Sequence, residues 1–450
     1  MSVARIALAI MVGCTLQART LVVGPKDQFS GVREALIAAA AGDTIEVRAG
    51  TYRGNLVLDK TVSLQGIGGP VVRGSGAGSV ITVLAGGCSI RGFRIEHSGG
   101  LLVDEDSGIL IKSDNNRVED NQLRDVLFGI YFFHAGHNTA AGNTLYGRKE
   151  LEFGERGAGI HIWNSAYNTI AHNTITDMRD GMYLQNADRS VIRANHVFAV
   201  RYGLHYMYSN NNVFEDNTFE SNVAGAAIMY SHDIQFRRNV FLHNRGFSSF
   251  GVLFQDSQNC LAVQNLFVDN VVGIFMESLR DSRFERNLIA SNDTAIEAFS
   301  SAERNDFTRN NFVGNLSPIR VVGKTSNIRW EREGTGNYWS EYAGYDLDGN
   351  GIGDAPFRIQ NLFEHLEGNR PRMQIYFFSP ASQALAAAEQ SFPIIEGSRE
   401  YDRYPLMKPV DLQMKLPADT TGGRGSALMA GIPASMFLVA AWVMWRGRKR

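Results

Sequence analysis

The stretch GIHIWNSAYNTIAHNTI, residues 159–175, is one copy of a repeat that runs through the middle of the chain. Each copy reads Gly-apolar-x-apolar, then about ten residues, then apolar-x-x-Asn-x-apolar. The leading glycines are Gly108, Gly129, Gly159, Gly181, Gly203, Gly225, Gly251 and Gly273, spaced by 21, 30, 22, 22, 22, 26 and 22 residues. The closing asparagines are Asn121, Asn143, Asn173, Asn195, Asn217, Asn239, Asn265 and Asn287, and from the second copy on each lies 14 residues after its glycine. A fixed period near 22 means one supersecondary unit stacked many times.

Within a copy the alternation has period two. Ile160 and Ile162 face one way and His161 and Trp163 the other, as do Leu204 and Tyr206 against His205 and Met207. Period two specifies strand, and helical repeats need roughly 34 to 40 residues. A leucine-rich repeat also carries an apolar-x-x-Asn-x-apolar box, but there a strand leads directly into it. Here the position two before the box is polar (Asn116, Asn138, Asn168, Ser190, Asn212), so that template fails.

Three short strands and three turns per 22 residues make an all-β parallel β-helix, with coils stacked at roughly 4.8 Å. Equivalent asparagines then form a ladder of amide hydrogen bonds, and Asn tolerates the left-handed backbone of a tight corner. The expected inward set is Ile160, Ile162, Leu184, Leu204, Tyr206, Ile228, Phe254, Ile274 and Met276. The chain of 450 residues, with 46 glycines and 11 prolines, suits a solenoid better than one compact core. A net charge of −2 gives no general nucleic-acid affinity.

Five segments are expected: a signal peptide at 1–18, the β-helix at 19–325, an extension at 326–425, a membrane helix at 426–445 and a basic cytoplasmic end at 446–450. The signal has Arg5, an apolar run from Ile6 to Leu16, and Ala18 for cleavage. Met11-Val-Gly-Cys14 offers lipidation as the alternative. Ser426 to Trp445 is 20 residues without a charge, followed by Arg-Gly-Arg-Lys-Arg450. That length spans a bilayer, and the basic residues orient it. Cys88 and Cys260 read as two separate buried thiols. Ser30 to Ala41 reads as a helix capping the first coil, Tyr146 to Ala158 as a charged inserted loop, and Ser382 to Glu389 as a short helix. In the extension, Asp346, Asp348, Asn350 and Asp354 follow the spacing of a calcium loop, with Phe357 where the bidentate Glu belongs.

GDTIEVRAGTYRGNLVLDKTVSLQGIGG, residues 42–69, resembles the N-terminal coils of the pectin-lyase-like right-handed β-helix superfamily, which implies a right-handed solenoid, and the middle repeat resembles its carbohydrate-binding and sugar-hydrolase (CASH) domains. These coils together with NYWSEYAGYDLDGNGIGDAPF (337–357) and YDRYPLM (401–407), in that order, resemble the NosD family, covering nearly the whole mature chain. The resemblance implies a periplasmic maturation factor for the copper centres of nitrous oxide reductase, and the C-terminal helix is expected to attach it to the cytoplasmic membrane. It implies as partners the membrane subunit and ATPase of an ABC transporter, a periplasmic copper donor lipoprotein and the reductase itself. It fixes no copper ligands.

The outward positions of the strand after each glycine form a stripe: Tyr131, Phe133, His161, Trp163, Tyr183, His205, Met207, Met229 and Phe275, with His134, His137, Tyr208, Tyr230 and His232 just beyond. Met207 and Met229 share a register. Thioether and imidazole suit Cu(I), so Met207, Met229, His205, His232 and His161 are the candidate ligands for transient copper. Trp163, Tyr183, Tyr208 and Tyr230 are the candidate partner surface. Calcium at the acidic loop is the second candidate ion. The competing class is a lyase, hydrolase or epimerase, or a binder, acting on an acidic polysaccharide. Asp256, Glu277 and Arg280 are its candidate residues. Neither a P-loop nor His-Glu-x-x-His, Cys-x-x-Cys or a nucleophile elbow occurs, so any ATP use belongs to a partner.

Overall fold

The structure, a computed structural model, describes residues 18–323, 326–359 and 400–413. The signal segment with Cys14, the expected helix at 382–389, the membrane run at 426–445, the basic end and most of the tether lie outside the described residues. Among the described residues no helix is long and apolar enough to cross a membrane.

Each coil contributes three strands, as in Tyr202–Met207, Val213–Glu215 and Thr218–Glu220. Like strands of successive coils pair in parallel and in register into sheets of 12, 14 and 13 strands, here called leading, middle and closing. The pairing Leu204↔Ala226, His205↔Ala227, Tyr206↔Ile228 and Met207↔Met229 is typical. The closing sheet continues through Tyr338–Trp339, where Asn337 supplies one more rung beyond residue 325.

Inward side chains fill the prism between the sheets. The expected inward residues from Ile160 to Met276 are all buried. From Phe214 on, the core becomes aromatic. Phe219, Phe241 and Phe267 stack at centroid distances of 5.3 and 5.0 Å, as offset rings favour. Cys88 and Cys260 are separate, free and buried, and burial pushes the Cys260 thiol up to about 12.

The closing asparagines form a continuous ladder. Asn173 donates its side-chain N–H to Asn195 Oδ1 at 3.0 Å, and Asn195 to Asn217 Oδ1 at 2.9 Å. Two further rows use the other corners: Asn116 and Asn138 with their successors, and Asn222, Asn244, Asn270, Asn292 and Asn315. The left-handed corner residue is not the asparagine, as expected, but its predecessor: His172, Ala194, Asp216, Arg238 and Gln264 all have positive φ. That residue bends the chain, and the bend turns the next side chain inward, where an amide can bridge coils.

Both ends are covered. Helix Val32–Ala38 buries Val32, Ala35 and Leu36 at the first coil. At the other end Tyr401–Asp402 pairs antiparallel with Phe357–Arg358. The segment then follows the solenoid, with Asn311 exchanging two 2.8 Å hydrogen bonds with Val410. Glu400 accepts from Trp330 Nε1 at 2.7 Å and Asp402 from Trp339 Nε1 at 2.9 Å.

Candidate functional site

Two outward columns run along the leading sheet. One is Tyr131, His161, Tyr183, His205, Ala227, Leu253 and Phe275. The other is Phe133, Trp163, Gln185, Met207, Met229, Gln255 and Glu277. Outward is not the same as exposed. Tyr131 and His161 are each 2% exposed, which corrects the expected open stripe at its N-terminal end. Phe128 stacks on both rings, and the Glu105 carboxylate lies 4.0 Å from His161 Nδ1. Burial, with Arg179 nearby, lowers His161 to about 3, so its imidazole is neutral.

The four rings Tyr131, His161, Tyr183 and His205 stack at 4.3, 4.8 and 4.6 Å. Beneath the last lies Asp180, fully buried. Arg201 grips it with both Nε and Nη2, at 2.9 and 2.8 Å, and His205 Nδ1 lies 3.3 Å from it. Burial pushes Asp180 up, but the His205 and Arg201 hydrogen bonds outweigh it and its pKa is lowered. The carboxylate fixes the His205 ring and leaves Nε2 as the free nitrogen, the arrangement that presents histidines to metals. Asp180, Arg201 and Glu105 are absent from the sequence-based candidates. Asp180 had a signal: it is the one charged residue at the position before a leading glycine, where Phe128, Ala158, Tyr202, Ala224, Phe250 and Val272 stand.

Met207 and Met229 are adjacent in register and half-buried. Met229 packs on an outer apolar cluster of Ala224, Ala227, Phe250 and Val272. His205 is two residues before Met207 on the same face, beside the small Ala227. One imidazole and two thioethers therefore share one patch. His232 is apart from it, in the turn after Met229, where its Nδ1 meets Asp233 at 2.6 Å.

Tyr208 and Tyr230 occupy the corner after the leading strand, stacked at 5.0 Å and 47% and 41% exposed. Both have left-handed backbones, with φ of 49° and 53°. The same corner carries Asn164, Asn186, Asp256 and Ser278 in other coils, residues better suited to that conformation. With His232, Asp256, Ser278 and Arg280 the two tyrosines line an open cavity of about 390 Å³. Trp163 and Tyr183, the other candidate surface residues, are half-buried, and Tyr183 packs against Phe128 and Leu127.

The acidic loop turns its carboxylates on itself. Asp346 accepts from the backbone N–H groups of Gly349, Asn350 and Gly351, Asp348 from that of Asn350, and Asp354 from that of Leu347. Its shape is thus explained as a self-bonded turn, and the calcium expectation gains no support from it. Among the described residues no group of three or more His, Cys, Asp or Glu side chains is arranged to hold a metal ion, so His161, His205 and His232 do not form one site.

A family model described as periplasmic copper-binding protein (NosD) matches residues 147–344. A Pseudomonas aeruginosa protein named probable ABC transporter binding protein NosD is 31% identical over 376 residues, covering 80% of this chain and 87% of that protein. A Stutzerimonas stutzeri protein of the same name is 30% identical over 377 residues, covering 80% and 86%. Among solved structures, the catalytic domain of a GH87 alpha-1,3-glucanase in complex with tetrasaccharides superposes with a TM-score of 0.51 at 14% identity, covering 72% of this chain and 69% of that one. Such a distant likeness shows the fold alone. With relatives matched over most of their length and the family model lying on the coils that carry the histidine and methionine patch, the chain belongs to the NosD family of periplasmic copper-binding proteins.

Proposed function

We propose that this protein is the periplasmic accessory subunit of an ABC transporter and receives or hands on Cu(I) during assembly of the copper centres of nitrous oxide reductase. A copper donor lipoprotein faces it on one side and the transporter's membrane subunit, driven by its ATPase, on the other. The observation that carries this reading is the patch of Met207, Met229 and His205. Thioethers are soft ligands that take Cu(I) without losing a proton, and imidazole is a borderline ligand that also suits copper. They also avoid the thiolates that an oxidising compartment would consume. An incomplete ligand set suits transfer, because a partner completes the site and can withdraw the ion. Tyr208 and Tyr230 support docking beside it: large rings held exposed on strained backbone contribute nothing to the core. The C-terminal segment 426–445 is proposed as the membrane anchor.

The test replaces both methionines together, Met207→Leu with Met229→Leu, keeping volume and apolarity. Cu(I) uptake in the presence of the donor, and the copper content of the matured reductase, should both fall at least tenfold. Normal values for both would remove these methionines from the pathway and leave the face as a docking surface.

A further inference from the structure

His161 has no structural need of its nitrogens. It is sandwiched between Tyr131 and Tyr183, a place a phenyl ring would fill equally well. Yet both Nδ1 and Nε2 are sealed from solvent without a hydrogen-bond partner. A neutral imidazole carries one donor and one acceptor, and buried polar atoms left unpaired in a native fold call for a water, an ion or a role. The acidic group that faces it is Glu105, whose Oε1 is 4.0 Å from Nδ1. That is too long for a hydrogen bond. A tetrahedral ion at about 2.0–2.2 Å from a histidine nitrogen and a carboxylate oxygen would set the two about 3.4 Å apart, so a shift of about half an ångström of the loop-borne, partly exposed Glu105 lets both atoms share one ion.

Glu105 is delivered by the loop that follows the strand Arg94–Glu96. It closes the short 3-10 turn Leu102–Asp104 in a left-handed conformation, φ 52°. The loop is fastened from two sides. Arg148 of the inserted segment donates to the Ser98 and Gly99 carbonyls at 2.8 and 3.3 Å, and the buried Asp106 accepts from Leu101 N at 3.1 Å.

We propose that His161 and Glu105 form a covered site for a divalent transition-metal ion of the Zn(II) or Cu(II) class. Nitrogen and carboxylate donors select such borderline ions over Cu(I), so this site differs in chemistry from the methionine patch and stands independently of it. Two protein donors make it a weak, exchangeable site, with the loop as its cover.

The full-length mature chain, purified without a polyhistidine tag and stripped by chelator, is titrated with Zn(II) and separately with Cu(II). Zn(II) should raise the thermal midpoint of the wild type and of the Met207→Leu, Met229→Leu protein alike, and should leave His161→Phe and Glu105→Gln unmoved. The Cu(II) electron paramagnetic resonance spectrum should lose one coupled imidazole nitrogen in His161→Phe. That variant keeps the ring stack, and without metal it should melt no lower than wild type. Glu105→Gln, on a partly exposed loop residue, serves should His161→Phe fold poorly. An unchanged metal response in either variant, or no response in the wild type, overturns the site.

Discussion

Asn195 shows what one residue does in this fold. Its side chain makes four hydrogen bonds: it accepts from the backbone and the side-chain N–H of Asn173, and donates to Ile170 O and Asn217 Oδ1. Every partner is buried, so no water replaces a lost bond. Asn195→Ala should therefore cost about 1–3 kcal/mol, the penalty for stranding buried polar partners, seen as a lower denaturation midpoint. Wild-type stability in that variant would mean that the ladder is ornamental and the strands alone hold the coils. Strain at Tyr208 and Tyr230 runs the other way. Left-handed backbone costs an L-residue roughly 1–2 kcal/mol, and Asn164 and Asn186 show the cheaper choice at the same corner. Left-handed backbone is carried elsewhere in the coils by Ala194, Arg238 and Gln264 as well, so it is the exposure of the two stacked rings that gives a docking role its weight.

At the scale of the element, the leading glycines are explained by approach rather than by φ. A Cβ on Gly203 would sit 2.5 Å from Gly225 O, 2.8 Å from Phe219 Cδ1 and 3.1 Å from Asn222 Nδ2. The neighbouring coil's backbone cannot yield without breaking its own pairing, so Gly203→Ala should cost about 1–3 kcal/mol through overpacking. A circular-dichroism melt checks this, and an unshifted midpoint would show that the coils can slide apart there. Much of this element was legible beforehand. The 22-residue spacing, the inward columns and the closing Asn ladder follow from period alone. Three things were not. The corner's left-handed residue varies freely from His172 to Gln264, because the conformation constrains the backbone more than the side chain. The row through Asn116 was visible as polar positions but not as bridges, and the row through Asn222 was not singled out at all. The burial of Tyr131 and His161 depends on a loop outside the regular repeat, and a contact between His161 and Glu105, 56 residues apart, leaves no periodic trace. The register that pairs Met207 with Met229 is itself periodic, so the sequence shows it.

A solenoid is stable coil by coil, so the molecule as a whole is weakest where a coil lacks a neighbour. Here the last coil is closed by Glu400 and Asp402, two buried carboxyls beneath the indoles of Trp330 and Trp339. Burial pushes Asp402 up to about 6 from an ordinary 3.8, against the Trp339, Asn337 and Tyr404 N–H donors that pull it down, and burial raises Glu400 as well. A carboxyl whose folded pKa exceeds its unfolded value binds more protons folded than unfolded between the two. The contribution of Asp402 is therefore most favourable below about pH 4 and is lost as pH rises through about 6. Two pKa units correspond to about 3 kcal/mol, an order-of-magnitude figure, against a typical domain stability of about 5–15 kcal/mol. Asp180, with its lowered pKa, acts in the opposite sense on acidification, so the wild type's pH profile alone mixes the two. Subtracting a variant separates them. Asp402→Asn stays neutral at every pH and keeps a carbonyl oxygen for Trp339. Moving from pH 7 to pH 4.5, the wild type should gain about 2–3 kcal/mol relative to Asp402→Asn in denaturant titrations. Parallel stability profiles for the two proteins would mean that Asp402 titrates alike folded and unfolded, leaving the end of the coil indifferent to pH.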